Sequence, residues 1–263
     1  MPLTPFQQEV LRLLARFRSP ESYLAGGLVV NQGRATPRFS DDLDIFHDTE
    51  EAVGQSAEKD GETLTQNGFQ VVWDLRRPVF YRARATRNDQ SVRLDWAIDS
   101  AFRFFPVEED AELGYRLHLT DVAINKALAL AGRNEARDFV DVLHLHQTHL
   151  SLGAIAWAAC AKDPGFTPEL LLQEMGRNAN FQPEEFRALA LAHPWDLVAA
   201  KKNWLRAMED ARALFDLLPA GDLGCLYLQQ GRAATPRNLE EAKRLKQHRG
   251  SLRGAWPVIS GED

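Results

Sequence analysis

The sequence has few cysteines and no long apolar run. Its 263 residues contain only Cys160 and Cys225, which are far apart and flanked by apolar residues, so we expect two small buried thiols rather than a disulfide or a zinc pair. No apolar stretch approaches the roughly 20 residues needed to span a bilayer. The first ten residues lack the basic and apolar regions of a signal peptide, so we expect a cytoplasmic protein without a membrane partner.

An excess of positive charge is also absent. The formal net charge is −6, with 44% apolar and 26% charged residues, which is the composition of an ordinary globular protein. The negative net charge argues against nonspecific coating of nucleic acid, although a local basic patch can still bind RNA. The length allows one large domain or two small ones.

Two carboxylates alternate in the segment 39–47, which has the pattern of a strand. Residues i and i+2 of a strand point the same way, so Asp42 and Asp44 share one face, whereas Leu43 and Ile45 point into an apolar layer. Like charges this close repel each other, and a hard divalent cation removes the conflict. Mg²⁺ prefers oxygen ligands and is held by one or two carboxylates together with substrate phosphates. The pattern therefore predicts a magnesium site.

A glycine pair precedes these acids. Gly26 and Gly27 follow Tyr23-Leu-Ala, and backbone N–H groups at glycines can approach a phosphate without interference from a side chain. Ser40 can add a hydroxyl.

Together these residues resemble a known family. Gly26-Gly27 followed by Arg38-Phe-Ser-Asp-Asp-Leu-Asp44 resembles the signature of the nucleotidyltransferase fold shared with polymerase-beta-like enzymes, in the variant found in AbiEii/AbiGii (MenT-like) toxins. A second motif, at residues 125–141, is similar to that family's lysine helix and the Arg-Asp-x-x-Asp helix after it. Two motifs in the right order are more specific than either alone. The resemblance covers roughly the first 150 residues.

The resemblance implies an α+β fold: a nucleotidyltransferase (polymerase-beta-like) mixed sheet core at residues 1–118, and a C-terminal helical domain at 119–263 that closes the cleft. Hydrophobic periodicity agrees with this. It predicts helices at 5–17 and 50–67, and strands at 69–75, 79–86 and 91–98. Further on it predicts a helix at 122–131 capped by Thr120 or Asp121, and a second helix capped by Asn134 that runs to about residue 149.

The resemblance also implies a third metal ligand. In this fold a neighbouring strand supplies the third acid, so that two Mg²⁺ ions about 4 Å apart can hold the nucleotide and lower the pKa of an attacking hydroxyl. Asp95 has the position for this role beside Asp42 and Asp44, and Asp99, four residues on, is the competitor. A surface aspartate at a strand end is the plainer interpretation of either.

The resemblance assigns the nucleotide to both motifs. Gly26, Gly27 and Ser40 would bind its phosphates, and Arg38 would also bind the nucleotide. Lys126 would neutralise them from its helix, with Asp138 and Asp141 orienting Lys126 and Arg137. The alternative for Arg137 and Asp141, which are i, i+4 neighbours, is a solvated salt bridge worth a few tenths of a kcal/mol.

A group of arginines leads up to Asp95 along the predicted strands. Such a group could hold a triphosphate or an RNA backbone. Its members are Arg76, Arg77, Arg82, Arg84, Arg87 and Arg93.

The sequence therefore predicts a Mg²⁺-dependent, toxin-like nucleotidyltransferase. It would move a nucleoside monophosphate from an NTP to a hydroxyl acceptor, either a tRNA end or a protein, and would have a cognate antitoxin as partner. Three alternatives stay open: a small-molecule (antibiotic-type) nucleotidyltransferase, a non-catalytic nucleotide-binding relative, and a structural protein whose Asp-x-Asp pattern is coincidental.

Overall fold

The chain forms two compact units in the computed structural model, which describes residues 3–32, 36–40 and 42–257. The first unit comprises Met1–Ala101 and Pro106–His118, and the second comprises Phe102–Phe105 and Leu119–Asp263. No helix among the described residues is long and apolar enough to cross a membrane.

The first unit contains both strands and helices, and helices dominate the second. The strands are β1 (Ser22–Leu24), β2 (Asp42–His47), β3 (Gln70–Arg77), β4 (Phe80–Arg87), β5 (Gln90–Ile98), β6 (Phe102–Arg103), β7 (Glu108–Asp110), β8 (Gly114–Arg116), β9 (Cys225–Gln229), β10 (Arg232–Ala234), β11 (Lys246–Arg249) and β12 (Ser251–Leu252). The helices are α1 (Pro5–Ala15), α2 (Gly26–Val30), α3 (Glu50–Gln66), α4 (Leu119–Gly132), α5 (Ala136–Thr148), α6 (Leu152–Lys162), α7 (Pro168–Asn178), α8 (Pro183–Arg187), α9 (Leu197–Leu217) and α10 (Leu239–Arg244), with a 3₁₀ turn at Ala220–Asp222.

A seven-stranded mixed sheet forms the first unit, in the order β3-β4-β5-β2-β1-β8-β7. β2 and β5 run parallel, whereas β3, β4 and β5 form an antiparallel meander. Asn88 and Asp89 connect β4 to β5 with φ values of 50° and 63°, the left-handed conformation that a tight two-residue hairpin turn needs. The predicted α+β class and mixed sheet are confirmed.

The core of this unit lies between one face of the sheet and helices α1 and α3. Leu43 and Ile45 of β2 and Leu94 of β5 are almost fully buried on that face, so the opposite face of the same strands presents the polar residues. Trp96 anchors the core and donates its indole N–H to Asp60 Oδ2 at 2.8 Å. Asp60 in turn pairs with the buried Arg18 at 2.7 Å, so that each charge has an opposite charge beside it inside the core.

Element boundaries differ from the predictions at several ends. The first helix stops at Ala15 rather than at residue 17, and β2 begins at Asp42 rather than at residue 39. The predicted caps at Thr120 and Asp121 are wrong, because α4 already begins at Leu119. The predicted cap at Asn134 is also wrong, because Glu135 occupies the N-cap position of α5 without a side-chain hydrogen bond.

The second unit contains more than helices. β9 pairs with β10 and β11 in a three-stranded antiparallel sheet, and β6 pairs with β12. The helical C-terminal region is confirmed, but the sheet was not predicted, because its strands are at most five residues long. The glycine at residue 231 was a local signal for a turn. Gln230 and Gly231 form the hairpin turn between β9 and β10, with φ values of 50° and 77°.

Candidate active site

Three aspartates meet on the polar face of the first unit's sheet. Asp44 on β2 and Asp95 on β5 are register partners across the parallel strand pair, and Asp42 precedes Asp44 by two residues on the same face. One carboxylate oxygen from each lies within 4.8 Å of the others. The cluster includes Asp95 and not Asp99, which lies beyond the end of β5 and accepts a hydrogen bond from the backbone N–H of Ser100.

These donors fit a hard divalent cation. All three ligands are carboxylate oxygens, the type that Mg²⁺ prefers, and Asp42 and Asp95 are buried. Three carboxylates this close repel one another, so the cluster needs positive charge. The role of Asp42, Asp44 and Asp95 as metal ligands stays a prediction.

Gly26 lets the carboxylate of Asp44 approach the backbone closely. Its φ is +67°, and a Cβ built there would overlap Asp44 Oδ2, so no larger residue fits. A Cβ at Gly27 would lie 2.5 Å from Arg38 Nη2 and 3.1 Å from Ser40 Oγ. The glycine pair therefore makes room for the three side chains that surround it. Its predicted contact with phosphates is a separate matter and stays a prediction.

Ser40 and Arg38 lie in the loop before β2 and are both buried. The hydroxyl of Ser40 donates to Asp42 Oδ1 at 3.1 Å, and the backbone carbonyl of Ser40 accepts from Gln7 Nε2 at 2.7 Å. Arg38 Nη1 donates to the carbonyl of Phe39 at 3.2 Å. Ser40 thus positions Asp42, while the predicted nucleotide contacts of both residues remain predictions. Asp41, which is part of the sequence motif, lies outside the described residues.

Two arginines pair with the acid cluster, which the sequence did not indicate. Arg82 on β4 binds Asp95 with both ends of its guanidinium, from Nε at 2.8 Å and from Nη2 at 2.6 Å. Arg93 Nη2 donates to Asp42 Oδ2, and Arg93 Nε lies 3.7 Å from Asp95 Oδ1. The hydrogen bonds to Asp95 raise the pKa of Arg82 above its usual value. Both arginines belong to the group that was predicted to hold a triphosphate or an RNA backbone, and both contact the aspartates instead.

The second motif forms its own cluster inside the second unit. Lys126 on α4 is buried, and its Nζ lies 2.9 Å from Asp138 Oδ1 and 2.8 Å from Asp141 Oδ2, both on α5. Arg133 Nε donates to Asp138 Oδ2 at 2.7 Å. Burial alone would raise the pKa of Asp138, but Lys126 and Arg133 outweigh it and lower that pKa to about 2.

The predicted link from the two acids to Lys126 is therefore present as direct ion pairs. Arg137 also forms an ion pair, because its Nε lies 3.8 Å from Glu135 Oε2. Arg133 was not among the predicted site residues. Its place in the loop between two helices, five residues before Asp138, is the signal that could have indicated it.

A mixed sheet that brings three aspartates together beside a glycine pair is the architecture of a nucleotidyltransferase, and the chain is an enzyme of that class. A family model described as "Nucleotidyl transferase AbiEii toxin, Type IV TA system" matches residues 12–216. Because the match covers most of the sequence, the chain belongs to this family, and the predicted family is confirmed. A toxin-antitoxin family implies an NTP substrate and an antitoxin partner.

A solved structure shares the fold. MenT4, a nucleotidyltransferase toxin from Mycobacterium tuberculosis, is 16% identical, with a TM-score of 0.56 over 82% of this chain and 83% of that chain. A putative nucleotidyltransferase from H. pylori is also 16% identical, with a TM-score of 0.49 over 81% of this chain and 98% of that chain. Among curated proteins, none matches the chain in sequence.

Proposed function

We propose that this protein transfers a nucleoside monophosphate from an NTP to a hydroxyl acceptor, with Mg²⁺ held by Asp42, Asp44 and Asp95. The observation that carries the proposal is the parallel register of β2 and β5, which places Asp44 beside Asp95 and brings all three carboxylates within 4.8 Å. A bound divalent cation would hold the triphosphate and lower the pKa of the attacking hydroxyl.

The chain's own residues would orient these groups. Ser40 holds one oxygen of Asp42, and Gly26 leaves the space that the Asp44 carboxylate occupies. We assign the β- and γ-phosphates to Gly26, Gly27 and Ser40, with Arg38 beside them. This assignment rests on the sequence motif and on the ability of backbone N–H groups at glycines to bind phosphate.

Lys126 is the proposed nucleotide contact from the second motif. Asp138 and Asp141 hold its ammonium by ion pairs, which keeps it charged and fixes its direction. Arg137 belongs to the same proposed group. We also propose, as the sequence predicts, that the helical region closes over the nucleotide.

An RNA acceptor, such as a tRNA end, is favoured by the sheet face beside the acids. Arg84 pairs in register with Arg93 across β4 and β5, and its side chain is 56% exposed. Arg77, opposite Phe80 on the same face, is also exposed. Exposed guanidiniums spread over one face of a sheet suit a phosphate backbone. A protein hydroxyl or a small molecule would be the acceptor if RNA fails the test, and we place the reaction in the cytoplasm, where NTPs and these acceptors occur.

The test is incubation of the purified protein with Mg²⁺, each labelled NTP in turn and total RNA, with a second reaction that lacks RNA. Label in RNA supports the proposed acceptor, and label in the protein alone points to a protein hydroxyl. The variant Asp44→Asn should lower transfer to either by about two to three orders of magnitude. Transfer by Asp44→Asn at the wild-type rate would show that the acid cluster is not the active site.

A further inference from the structure

The acid cluster is already occupied by the chain's own donors. Both oxygens of Asp95 accept from Arg82. Of the oxygens of Asp42, Oδ1 accepts from Ser40 and Oδ2 accepts from Arg93. A cation that binds Asp42 and Asp95 must share or displace these donors.

The charges make sharing unfavourable. Three carboxylates and two guanidiniums sum to one net negative charge, so the arginines already neutralise most of the cluster. Adding a divalent cation between the same oxygens places it close to two like charges, which costs free energy in a partly buried site. The cation and the arginines therefore compete for the same carboxylates.

From this competition we infer that Arg82 and Arg93 form a guanidinium latch, which binds the acid cluster in the absence of a divalent cation. When a cation binds the carboxylates, it displaces the two guanidiniums, and these then bind the triphosphate that arrives with the cation. The inference rests on the proposed function, because it takes Asp42, Asp44 and Asp95 as the metal site. The latch makes binding of the cation and the triphosphate cooperative. The cation neutralises the carboxylates that repel the triphosphate, and the triphosphate binds the arginines that repel the cation.

Both arginines are able to leave. Their side chains are 36% exposed, compared with 9% for the two aspartates they bind, so the flexible partner in each pair is the arginine. Arg93 Nε is buried and has no hydrogen-bond partner within the described part of the chain, so its pairing is incomplete. Arg82 also lies 5.1 Å from the centre of the Phe80 ring, a cation–π contact that can hold it at the same sheet face after release.

The first arm of the experiment measures Mn²⁺ binding by titration calorimetry without nucleotide, in the wild type, Arg82→Gln and Arg93→Gln. The matched control is Arg84→Gln, which removes the same charge from the same strand face but pairs with Asp74 instead. Long-range electrostatics alone would give Arg84→Gln the same gain. We expect Arg82→Gln and Arg93→Gln to bind Mn²⁺ about three- to tenfold more tightly than Arg84→Gln does.

The second arm measures binding of inorganic triphosphate in saturating Mn²⁺, a probe that avoids any dependence on the base. Here Arg82→Gln should bind about tenfold more weakly than Arg84→Gln. Circular dichroism checks the fold of each variant. Arg82→Lys, which keeps the charge but cannot form the bidentate pair, replaces Arg82→Gln in both arms if the latter does not fold, and should show the same directions.

Each result bears on the inference. If the wild type binds Mn²⁺ but Arg82→Gln and Arg93→Gln bind it no more tightly than the control, the arginines support the acids rather than compete, and the latch is wrong. Equal triphosphate affinity in Arg82→Gln and Arg84→Gln would overturn the coupling to the substrate. If neither the wild type nor any variant binds Mn²⁺, the metal site of the proposed function fails, and the latch fails with it.

Discussion

Gly26 lies so close to Asp44 that a Cβ at residue 26 would overlap Asp44 Oδ2. Backbone conformation adds to this steric demand, because a φ of +67° is strained for any residue with a Cβ. The glycine and the aspartate are therefore a single steric unit, although they belong to different secondary structure elements.

We predict that Gly26→Ala displaces Asp44 and lowers transfer by tenfold or more, with a loss of about 2–4 kcal/mol in the free energy of unfolding. The matched control is Gly68→Ala. Gly68 also has a positive φ, +81°, but no atom lies within 4 Å of its Cβ position, so only strain of about 1 kcal/mol should result. Urea unfolding measures the free energy of unfolding of both variants, and transfer assays measure their activity. Equal loss of activity in the two would contradict the steric argument.

Removal of one acid should separate activity from stability. We predict that Asp44→Asn lowers transfer by about two to three orders of magnitude, while the metal-free protein melts at the same temperature or higher, because one of three repelling charges is gone. Thermal melts in EDTA measure the second quantity. Asp99→Asn, next to the site but outside the cluster, should leave both unchanged. A clear drop in melting temperature for Asp44→Asn would argue for a structural role.

Lys126→Met should remove the ammonium that Asp138 and Asp141 share inside the second unit, and should destabilise the protein at neutral pH by about 3–5 kcal/mol. The cost should shrink at pH 4.5, because Lys126 is the main cause that lowers the pKa of Asp138 to about 2, and without the ammonium that pKa rises and the buried carboxylate can take up a proton. Urea unfolding at the two pH values measures this.

The triple variant Lys126→Met, Asp138→Asn, Asp141→Asn tests the nucleotide contact. Its stability should recover, because the two buried carboxylates that Lys126 bound become neutral amides, whereas its KM for NTP should stay raised if Lys126 meets phosphate. Recovery of both quantities would make Lys126 a structural ion-pair member only.

We predict that the free energy of unfolding decreases in mild acid because of His47. Burial, and next the nearby positive charge of Arg18, lower its pKa from 6.5 to about 4. The folded protein thus resists protonation that the unfolded chain accepts below pH 6.5, so stability falls between pH 6.5 and 4, by up to about 3 kcal/mol.

The matched comparison is His47→Gln, which can keep a hydrogen bond to Ser22. Asp121 acts in the opposite direction over a similar window, since burial raises its pKa to about 6, and this contribution cancels between wild type and variant. The difference in unfolding free energy between the two proteins should therefore fall toward pH 4. A difference that is constant with pH would contradict the assignment.

An RNA acceptor should bind with a steep salt dependence. We expect the logarithm of its affinity to fall by roughly one unit per logarithmic unit of salt for each phosphate contact, and Arg84→Ala to reduce that slope by about one. Arg76→Ala is the control, because Arg76 is on the same sheet but lies 4.4 Å from the Trp73 ring on the opposite face. A flat profile that Arg84→Ala does not alter would favour a small-molecule acceptor.

The acids could be predicted because their signal is local. Asp42 and Asp44 share a strand face by simple alternation, and the motif that contains them identifies the family. Asp95 required more, since only the strand order and register place it beside Asp44, and these came from the resemblance rather than from the spacing.

The pairing of Arg82 with Asp95 and of Arg93 with Asp42 could not be predicted in the same way. Asp42 and Arg93 are 51 residues apart, and no pattern in either segment predicts which residue the other will contact. An arginine near an acid site has the same appearance in a sequence whether it will bind phosphate or carboxylate. The short strands β9 to β11 were missed for a related reason, because pairing across the sheet, rather than local propensity, determines them.

The second unit takes in Phe102–Phe105, which precede the last part of the first unit in the chain. Asp121 accepts from the backbone N–H groups of Phe104 and Phe105 at 2.7 and 3.0 Å, and Phe104 O is 2.7 Å from His248 Nε2. The chain therefore passes between the units three times, and no single cut separates them. A fragment ending at residue 118 would carry phenylalanines whose partners are missing, while a fragment starting at 119 would leave Asp121 without its donors. To express the two units separately, residues 102–105 would have to be removed from the first unit and joined to the second.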